Sequence, residues 1–402
     1  MRSFPLLSTA LLAWIDMGFA YPGMGQQLEE LSKIDKRQLN NELIGDLLTL
    51  TDDELTPTGA EIKLILTNQV PPQHHNIAYE DPVPEKDTPA CAQDTCCIWW
   101  YIAQEMAEAM VGNAPRCNKL ARASARLGFH DAGSWSKSTG PTGGADGSIV
   151  FAHECEDRIE NNGLQEVCAQ MRTWYSKYQS YGVSMADLIQ MGANVATVVC
   201  PNGPRIRSFV GRIDNPNPAP TGNLPEITHS VDHLLALFQD KTITPNQLVA
   251  LVGAHTTAQQ RFVDTTRAGD PLDRTPGVWD GGFYGEVVNP NSPPRVFKFP
   301  TDIALSTDPR TSSEWQNFVP RSPAWNGAYA RAYVRVSLLG VYNINDLTEC
   351  TKVLPFPNSS FFPIPDDVEM EDFLRSAPNQ EASDALERGD LLPGFEAHHK
   401  TE

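Results

Sequence analysis

Arg126-Leu127-Gly128-Phe129-His130-Asp131 is the stretch on which the reading of this 402-residue chain turns. On a helix, Arg126 and His130 lie four residues apart and share a face, while Asp131 projects about 100° away. A base and a cation can then act on one small molecule while the carboxylate serves another purpose behind them. Cleaving an O–O bond needs such a pair. The base takes a proton from peroxide and returns it to the departing oxygen, and the cation stabilises the negative charge that develops. An isolated Arg-x-x-x-His is ordinarily a surface arginine beside a core histidine, so the context has to decide.

The context is a second histidine in Leu251-Val-Gly-Ala-His-Thr256. Leu248, Leu251, Val252 and His255 fall at i, i+3, i+4 and i+7, which puts His255 on an apolar stripe. A satisfied core histidine is the usual explanation of that pattern. As an iron ligand, His255 would need an acceptor on its other nitrogen, and Asp302 is the candidate; such a carboxylate gives imidazolate character that favours high-valent iron. A polar histidine segment with an arginine and an apolar one with an aspartate are the two faces that a peroxide-cleaving haem requires.

Two oxygen-rich stretches follow the histidines. Gly143-Gly-Ala-Asp-Gly-Ser148 offers carbonyl, carboxylate and hydroxyl oxygens from Gly144, Asp146 and Ser148, and Asp131 can add a carboxylate from the back of its helix. Thr256 with Asp273-Arg-Thr-Pro-Gly-Val-Trp-Asp280 repeats the theme through Asp273, Thr275, the Val278 carbonyl and Asp280. Calcium takes such hard oxygen donors, although Asp-Gly-Ser alone is an ordinary turn. A carboxylate and an amide passing a hydrogen bond to the far nitrogen of His130 would fix its tautomer, and Glu156 with Asn162 can supply them.

The chain carries 31 Lys and Arg against 50 Asp and Glu, a formal charge of -19. Such a surface repels phosphate backbones and anionic lipid, so nucleic-acid and membrane partners are not expected. Met1–Ala20 has a basic start, an apolar middle and a small-residue end, and reads as a secretory signal. No other stretch is apolar enough to span a bilayer, so the mature protein is expected to be soluble and, with the signal, extracellular; a monomer is the expected state. Residues 21–90, with Lys36-Arg37 as a dibasic cutting point after residue 37 and a Pro-rich run from Pro71 to Pro89, read as a propeptide or loosely docked arm. From Cys91 to Cys350 the pattern is helix after helix, with scarce strand-like alternation. Ser184-Met-Ala-Asp187 and Thr244-Pro-Asn-Gln247 are capping-box patterns opening two of the helices. The Pro-rich run Pro201–Pro225 reads as an extended loop. Residues 351–402 are a Pro-, Asp- and Glu-rich tail with one glycosylation acceptor, Asn358-Ser-Ser360. Eight cysteines suit the oxidising compartment that a signal implies, and four bridges are expected, with 105 pairings open to spacing alone.

These motifs together resemble the secreted fungal (class II) haem peroxidases of the plant-type superfamily, over roughly residues 91–350. The resemblance rests on Arg126-x-x-Phe129-His130-Asp131, Gly144-Ala-Asp146-Gly-Ser148, Ala254-His255-Thr256, Asp273-x-Thr275-Pro-x-x-x-Asp280 and Asp302 before Arg310-Thr-Ser-Ser-Glu-Trp315. It implies a mostly α, two-lobed fold with haem b between a distal lobe (about 91–235) and a proximal lobe (about 236–350), and a calcium ion in each. It also implies Arg126, Phe129 and His130 on the distal side, His255 as the iron ligand, and bridges Cys91–Cys97, Cys96–Cys350 and Cys117–Cys200, with Cys155 and Cys168 left to each other. Two departures stand out. The family commonly has a further cysteine where this chain has Ser313, which removes a bridge to the C-terminal tail. The distal relay also has two alignments: counting forward from Ser148 gives Glu156 and Asn162, counting back from Gly163-Leu164 gives Cys155 and Asn161. Glu156 and Asn162 are preferred because Cys155 cannot supply a carboxylate.

The resemblance bears on the donor as well. Manganese-oxidising members use three acidic residues, and this chain has Lys119, Ala123 and Arg261 at those positions. Lignin-type members use a surface tryptophan five residues before the proximal histidine, where this chain has Ala250. What remains is hydrogen peroxide with small phenolic or aromatic reductants at the haem edge. The rival readings are a secreted, calcium-stabilised haem-binding protein with little turnover and a catalytically silent adhesion module; the second leaves Arg126 and Asp302 unexplained.

Overall fold

The computed structural model describes residues 40–80, 82–319, 323–357, 364–377 and 379–394. The signal segment, Lys36-Arg37, the Asn358 acceptor and His398-His399 lie outside the described residues. Helices dominate, as expected. In chain order they are α1 (Pro57–Leu66), α2 (Pro89–Gln93), α3 (Thr95–Ala109), α4 (Lys119–Ala132), α5 (Ser148–Phe151), α6 (Glu154–Asp157), α7 (Gln165–Tyr178) and α8 (Met185–Val199). Then come α9 (Val231–Asp240), α10 (Pro245–Val252), α11 (Gly282–Val288), α12 (Pro300–Thr307), α13 (Ser312–Phe318), α14 (Pro323–Val336), α15 (Asp367–Arg375) and α16 (Gln380–Arg388). Two short strands, β1 (Phe209–Val210) and β2 (Thr348–Glu349), pair antiparallel with Phe209 opposite Glu349.

Local chemistry sets the helix starts. Asn118 opens α4 by accepting from the N–H groups of Leu120 and Ala121. Thr244 and Gln247 close a full capping box on α10, with Pro245 at the first helical position. At α8 only half of the expected box forms. Ser184 accepts from the Asp187 N–H, but the Asp187 carboxylate turns to Arg212 at 2.8 Å instead of back to the cap. Every residue from Met185 to Val198 is buried, so α8 is a central helix with no solvent face. The α4 helix lies along it and α3 packs on it as well, whereas α10 packs on α9 and α14. The two histidine segments are thus carried by different groups of helices.

The N-terminal expectation needs correction from Asn40 onward. Ile44, Leu47, Ile62, Ile65 and Leu66 are at most 2% exposed and belong to the main core. Asp46 accepts from the N–H groups of Ile344 and Asn345 at 2.9 and 3.1 Å, and Arg331 donates to the Ile65 carbonyl at 2.8 Å. This segment is an integral layer of the domain rather than a loosely docked arm. Its charged, proline-punctuated sequence hides one short apolar face.

The C-terminal segment is corrected in the same way. The α15 and α16 helices enclose a second small core of Val296, Met370, Phe373, Leu374, Ala382, Ala385, Leu386 and Leu392. They are fastened by a buried ion pair between Arg116 and Asp366, whose carboxylate also accepts from the Leu392 N–H at 2.7 Å. Stripping either charge of its partner would cost about 3–5 kcal/mol. Arg122 on α4 donates to Gln259 at 2.7 Å and to the Leu386 carbonyl at the end of α16 at 3.1 Å, and Arg261 pairs with Glu387. Ion pairs and carbonyl contacts therefore hold the C-terminal helices where Ser313 replaces the family's cysteine. The four bridges are Cys91–Cys97, Cys96–Cys350, Cys117–Cys200 and Cys155–Cys168, the pairing that the resemblance implied.

Candidate active site

The α4 helix brings Arg126 and His130 together as its 3.6-residue period requires, with the Arg126 Nε donating to His130 Nε2 at 3.1 Å. The guanidinium is oriented by two main-chain carbonyls, Asn162 at 2.7 Å and Glu160 at 3.0 Å. His130 Nδ1 lies 2.8 Å from Asn161 Oδ1, and the Asn161 amide nitrogen donates to the Glu154 carbonyl at 3.0 Å. That second bond settles the amide: its oxygen faces His130 and accepts, so Nδ1 carries the proton and Nε2 is the free base. Burial, then the neighbouring Arg126 charge, pushes the imidazole down to about 3 against the opposing Asn161 bond. His130 is accordingly an unprotonated base throughout the physiological range. Arg126 presents open surface, yet burial lowers its guanidinium to about 10. It stays cationic at neutral pH. Phe129 stacks on Phe238 of α9 at 5.9 Å and meets the His130 ring edge-on at 6.0 Å.

The expected relay through Glu156 and Asn162 is corrected. Glu156 points away to Arg172 at 2.7 Å, which lowers its pKa, and Asn162 contributes only its carbonyl, to Arg126. Asn161 is the amide on His130, and its own partner is the main-chain carbonyl of Glu154. A peptide carbonyl orients the amide as well as a carboxylate would, so the relay falls one residue earlier, on Asn161.

On the proximal side α10 ends at Val252, and His255 sits in a tight 3-10 turn, Gly253–Thr257, rather than on the α-helix itself. Gly253 is required there: a Cβ would lie 2.4 Å from both Trp325 Nε1 and the Tyr284 hydroxyl. His255 Nδ1 meets Asp302 Oδ2 at 3.0 Å, and Asp302, on α12, is 1% exposed. A carboxylate only accepts, so Nδ1 donates and the His255 Nε2 lone pair has no partner among the described residues. Phe283 and Phe299 hold the ring edge-to-face at 5.5 and 5.4 Å. A free imidazole nitrogen backed by a buried carboxylate is the donor set that suits haem iron.

Among the described residues no three of His, Cys, Asp and Glu converge on one point. The oxygen-rich stretches instead bring paired carboxylates together with hydroxyl and carbonyl oxygens, donors of the kind that calcium takes. Asp131 is fully buried with its pKa well raised, first by desolvation and then by Asp146, and Ser148, whose N–H donates to Asp146, is buried beside them. Gly144 comes close enough to Leu339 that a Cβ would lie 2.4 Å from its carbonyl oxygen, at φ 120°, so only glycine fits. The second cluster repeats the pattern. Asp273 is pushed well up by burial and then by Asp280, Thr256 donates to Asp273, and the Thr275 hydroxyl donates to Asp280 at 3.0 Å. Two neighbouring carboxylates that repel each other, at least one of them fully buried, beside hydroxyl oxygens are what a divalent cation would relieve.

The peroxidase family model matches residues 103–320. Ligninase LG5 of Phanerodontia chrysosporium is 31% identical over 68% of the chain and 81% of the relative. Manganese peroxidase 3 of Phlebia radiata is 31% identical over 66% and 78%, and a peroxidase of Arthromyces ramosus 28% over 75% and 87%. The chain belongs to the peroxidase family, among relatives of the fungal class II branch of the plant-type superfamily. It is a hydrogen-peroxide-dependent oxidoreductase whose cofactor is haem.

Proposed function

We propose that this is a secreted peroxidase carrying haem b and two calcium ions, which acts as a monomer and oxidises small phenolic or aromatic donors one electron at a time. The observation that carries the donor assignment is that the three manganese positions hold Lys119, Ala123 and Arg261, two cations and no carboxylate. Lys119 pairs with Glu166 at 2.9 Å, Ala123 has no ligand atom, and Arg261 pairs with Glu387. A divalent cation there would meet positive charge. Ala250 is buried, and Trp135, Trp174 and Trp279, which could otherwise replace a surface relay, are 7%, 1% and 1% exposed, so none of these three offers a bulky donor an open indole. Phe262, by contrast, is 59% exposed. A Cβ on Gly163 would be 2.8 Å from its ring and 3.5 Å from Arg126 Nη1, so Phe262 offers an aromatic ring an apolar surface beside the distal arginine. The surplus of acidic residues argues against nucleic-acid and membrane partners, and among the described residues no helix is long and apolar enough to cross a membrane.

Haem held by His255 would supply the redox centre that accepts two oxidising equivalents from peroxide. His130 Nε2 takes the first proton from hydrogen peroxide and delivers it to the departing oxygen, which leaves as water. Arg126 stabilises the negative charge on that oxygen while the bond breaks. Asn161 keeps the His130 proton on Nδ1, and Asp302 keeps the His255 proton on Nδ1, so each imidazole presents Nε2. Two donor molecules each give one electron and one proton, and the balance closes with a second water.

A donor panel tests this reading: turnover of phenols is expected, whereas efficient oxidation of Mn(II) or of a bulky non-phenolic aromatic without mediator would overturn it. Calcium is tested separately. Asp131 and Thr256 directly follow or adjoin the working histidines, so prolonged chelation should loosen both and lower activity together with thermal stability. Active enzyme containing no calcium by metal analysis would contradict the assignment.

A further inference from the structure

The proximal histidine is joined to an unusually continuous set of buried rings. His255 contacts Phe283, which meets Trp315 at 5.5 Å and Tyr284 at 5.4 Å; Tyr284 meets Trp325 at 5.9 Å. Trp325 and Trp279 then stack at 5.0 Å with their planes 10° apart. The Trp325 indole also touches the His255 turn directly, since its Nε1 donates to the Ala250 carbonyl at 3.0 Å and crowds Gly253. Trp279 and Trp325 are 1% and 2% exposed.

Among these rings the indoles are the easiest to oxidise, and overlap of two parallel indoles spreads a positive hole over both. Phenylalanine is far harder to oxidise. Tyrosine oxidation requires the phenolic proton to leave, but the Tyr284 hydroxyl donates to the Val249 carbonyl at 2.7 Å, which is no base. The same holds at the indoles: Trp279 Nε1 donates to the Asn326 amide oxygen at 3.1 Å and Trp325 Nε1 to a carbonyl. A hole on the pair therefore keeps its proton and remains a delocalised cation, out of reach of donors in solution.

We propose that the stacked Trp279–Trp325 pair is a storage site for one oxidising equivalent, reached from the haem through the His255 turn and the rings beside it. The step rests on the reading of His255 as the haem ligand. One electron passes from the indole pair to haem that peroxide has oxidised, so the pair is oxidised by one electron and the haem centre reduced by one. No bond breaks and no proton moves, and a donor at the haem later restores the electron through the same rings. The pair would hold oxidation within a defined place when donor is scarce, instead of letting it reach random side chains.

The test is freeze-quench electron paramagnetic resonance of the holoenzyme mixed with peroxide in the absence of donor. The expected result is a tryptophan radical that narrows when the protein carries ring-deuterated tryptophan. It should disappear in Trp279→Phe and Trp325→Phe, while the Soret band and steady-state phenol turnover persist. A signal that does not narrow on deuteration overturns the proposal without any variant having to fold. So does an unchanged signal in both variants, or peptide mass spectrometry that places the oxidised residue at Trp135 or Trp174. A protein without a Soret band would instead remove the haem reading itself.

Discussion

His130→Ala should keep its haem and lose its reaction with peroxide, slowing that step by roughly 100- to 10,000-fold, the usual worth of a positioned acid–base group. The corresponding rise in barrier is about 3–5 kcal/mol. No described group besides His130 offers Arg126 a basic nitrogen, and Arg126 itself stays protonated, so nothing nearby substitutes for the lost base. Stopped-flow spectra of the variant mixed with peroxide give the measurement. An unchanged rate of spectral conversion would remove His130 from the chemistry, whereas a slow rate with an unaltered resting spectrum would place it there.

His255→Ala should fail differently, at the cofactor. Its Nε2 is the free imidazole nitrogen on the proximal side, and Asp302 is committed to its Nδ1. Removing the ring leaves Asp302 as a buried carboxylate with no described partner, so both haem coordination and the local fold should suffer. Asp302→Asn separates the two effects. It retains the ring but loses the charge behind it, and such an outer partner is worth roughly 10- to 100-fold in metal affinity or activity. A haem spectrum for His255→Ala identical to that of the parent protein would point to a different axial ligand.

The parts of this site that lie within one regular element were legible in the sequence. Arg126 and His130 are four residues apart on one helix, and helical periodicity alone makes them neighbours. Capped helix starts were equally legible, because Thr244-Pro-Asn-Gln247 spells out its own hydrogen bonds. The relay was not. Asn161 closes a short 3-10 turn between α6 and α7, where no period constrains the count and a shift of one residue exchanges Asn161 for Asn162. Sequence reasoning also looked for a side-chain carboxylate, whereas the bond runs to a main-chain carbonyl that every residue possesses. His255 was placed on an apolar stripe that in fact stops at Val252, since the turn after it tightens around Gly253.

The flanking segments were hidden for a compositional reason. The α16 helix buries Ala382, Ser383, Ala385 and Leu386 beneath a charged outer face, so its apolar content looks too low for a docked helix. Its anchors are polar. Arg116, Arg122 and Arg261 on the main domain supply them, and a sequence does not reveal which distant carboxylate or carbonyl an arginine will find. Residues 40–66 pose a related problem: only Ile44, Leu47, Ile62, Ile65 and Leu66 of their apolar side chains are buried, while Leu48 stays 64% exposed, so no clean periodic face marks the segment as core.

The most direct test of the whole account is the absorption spectrum of the purified protein before and after hydrogen peroxide. The account predicts a Soret band in the resting protein that shifts on mixing with peroxide and returns when a phenol is added. A haem band indifferent to peroxide, or no haem band at all, would contradict it.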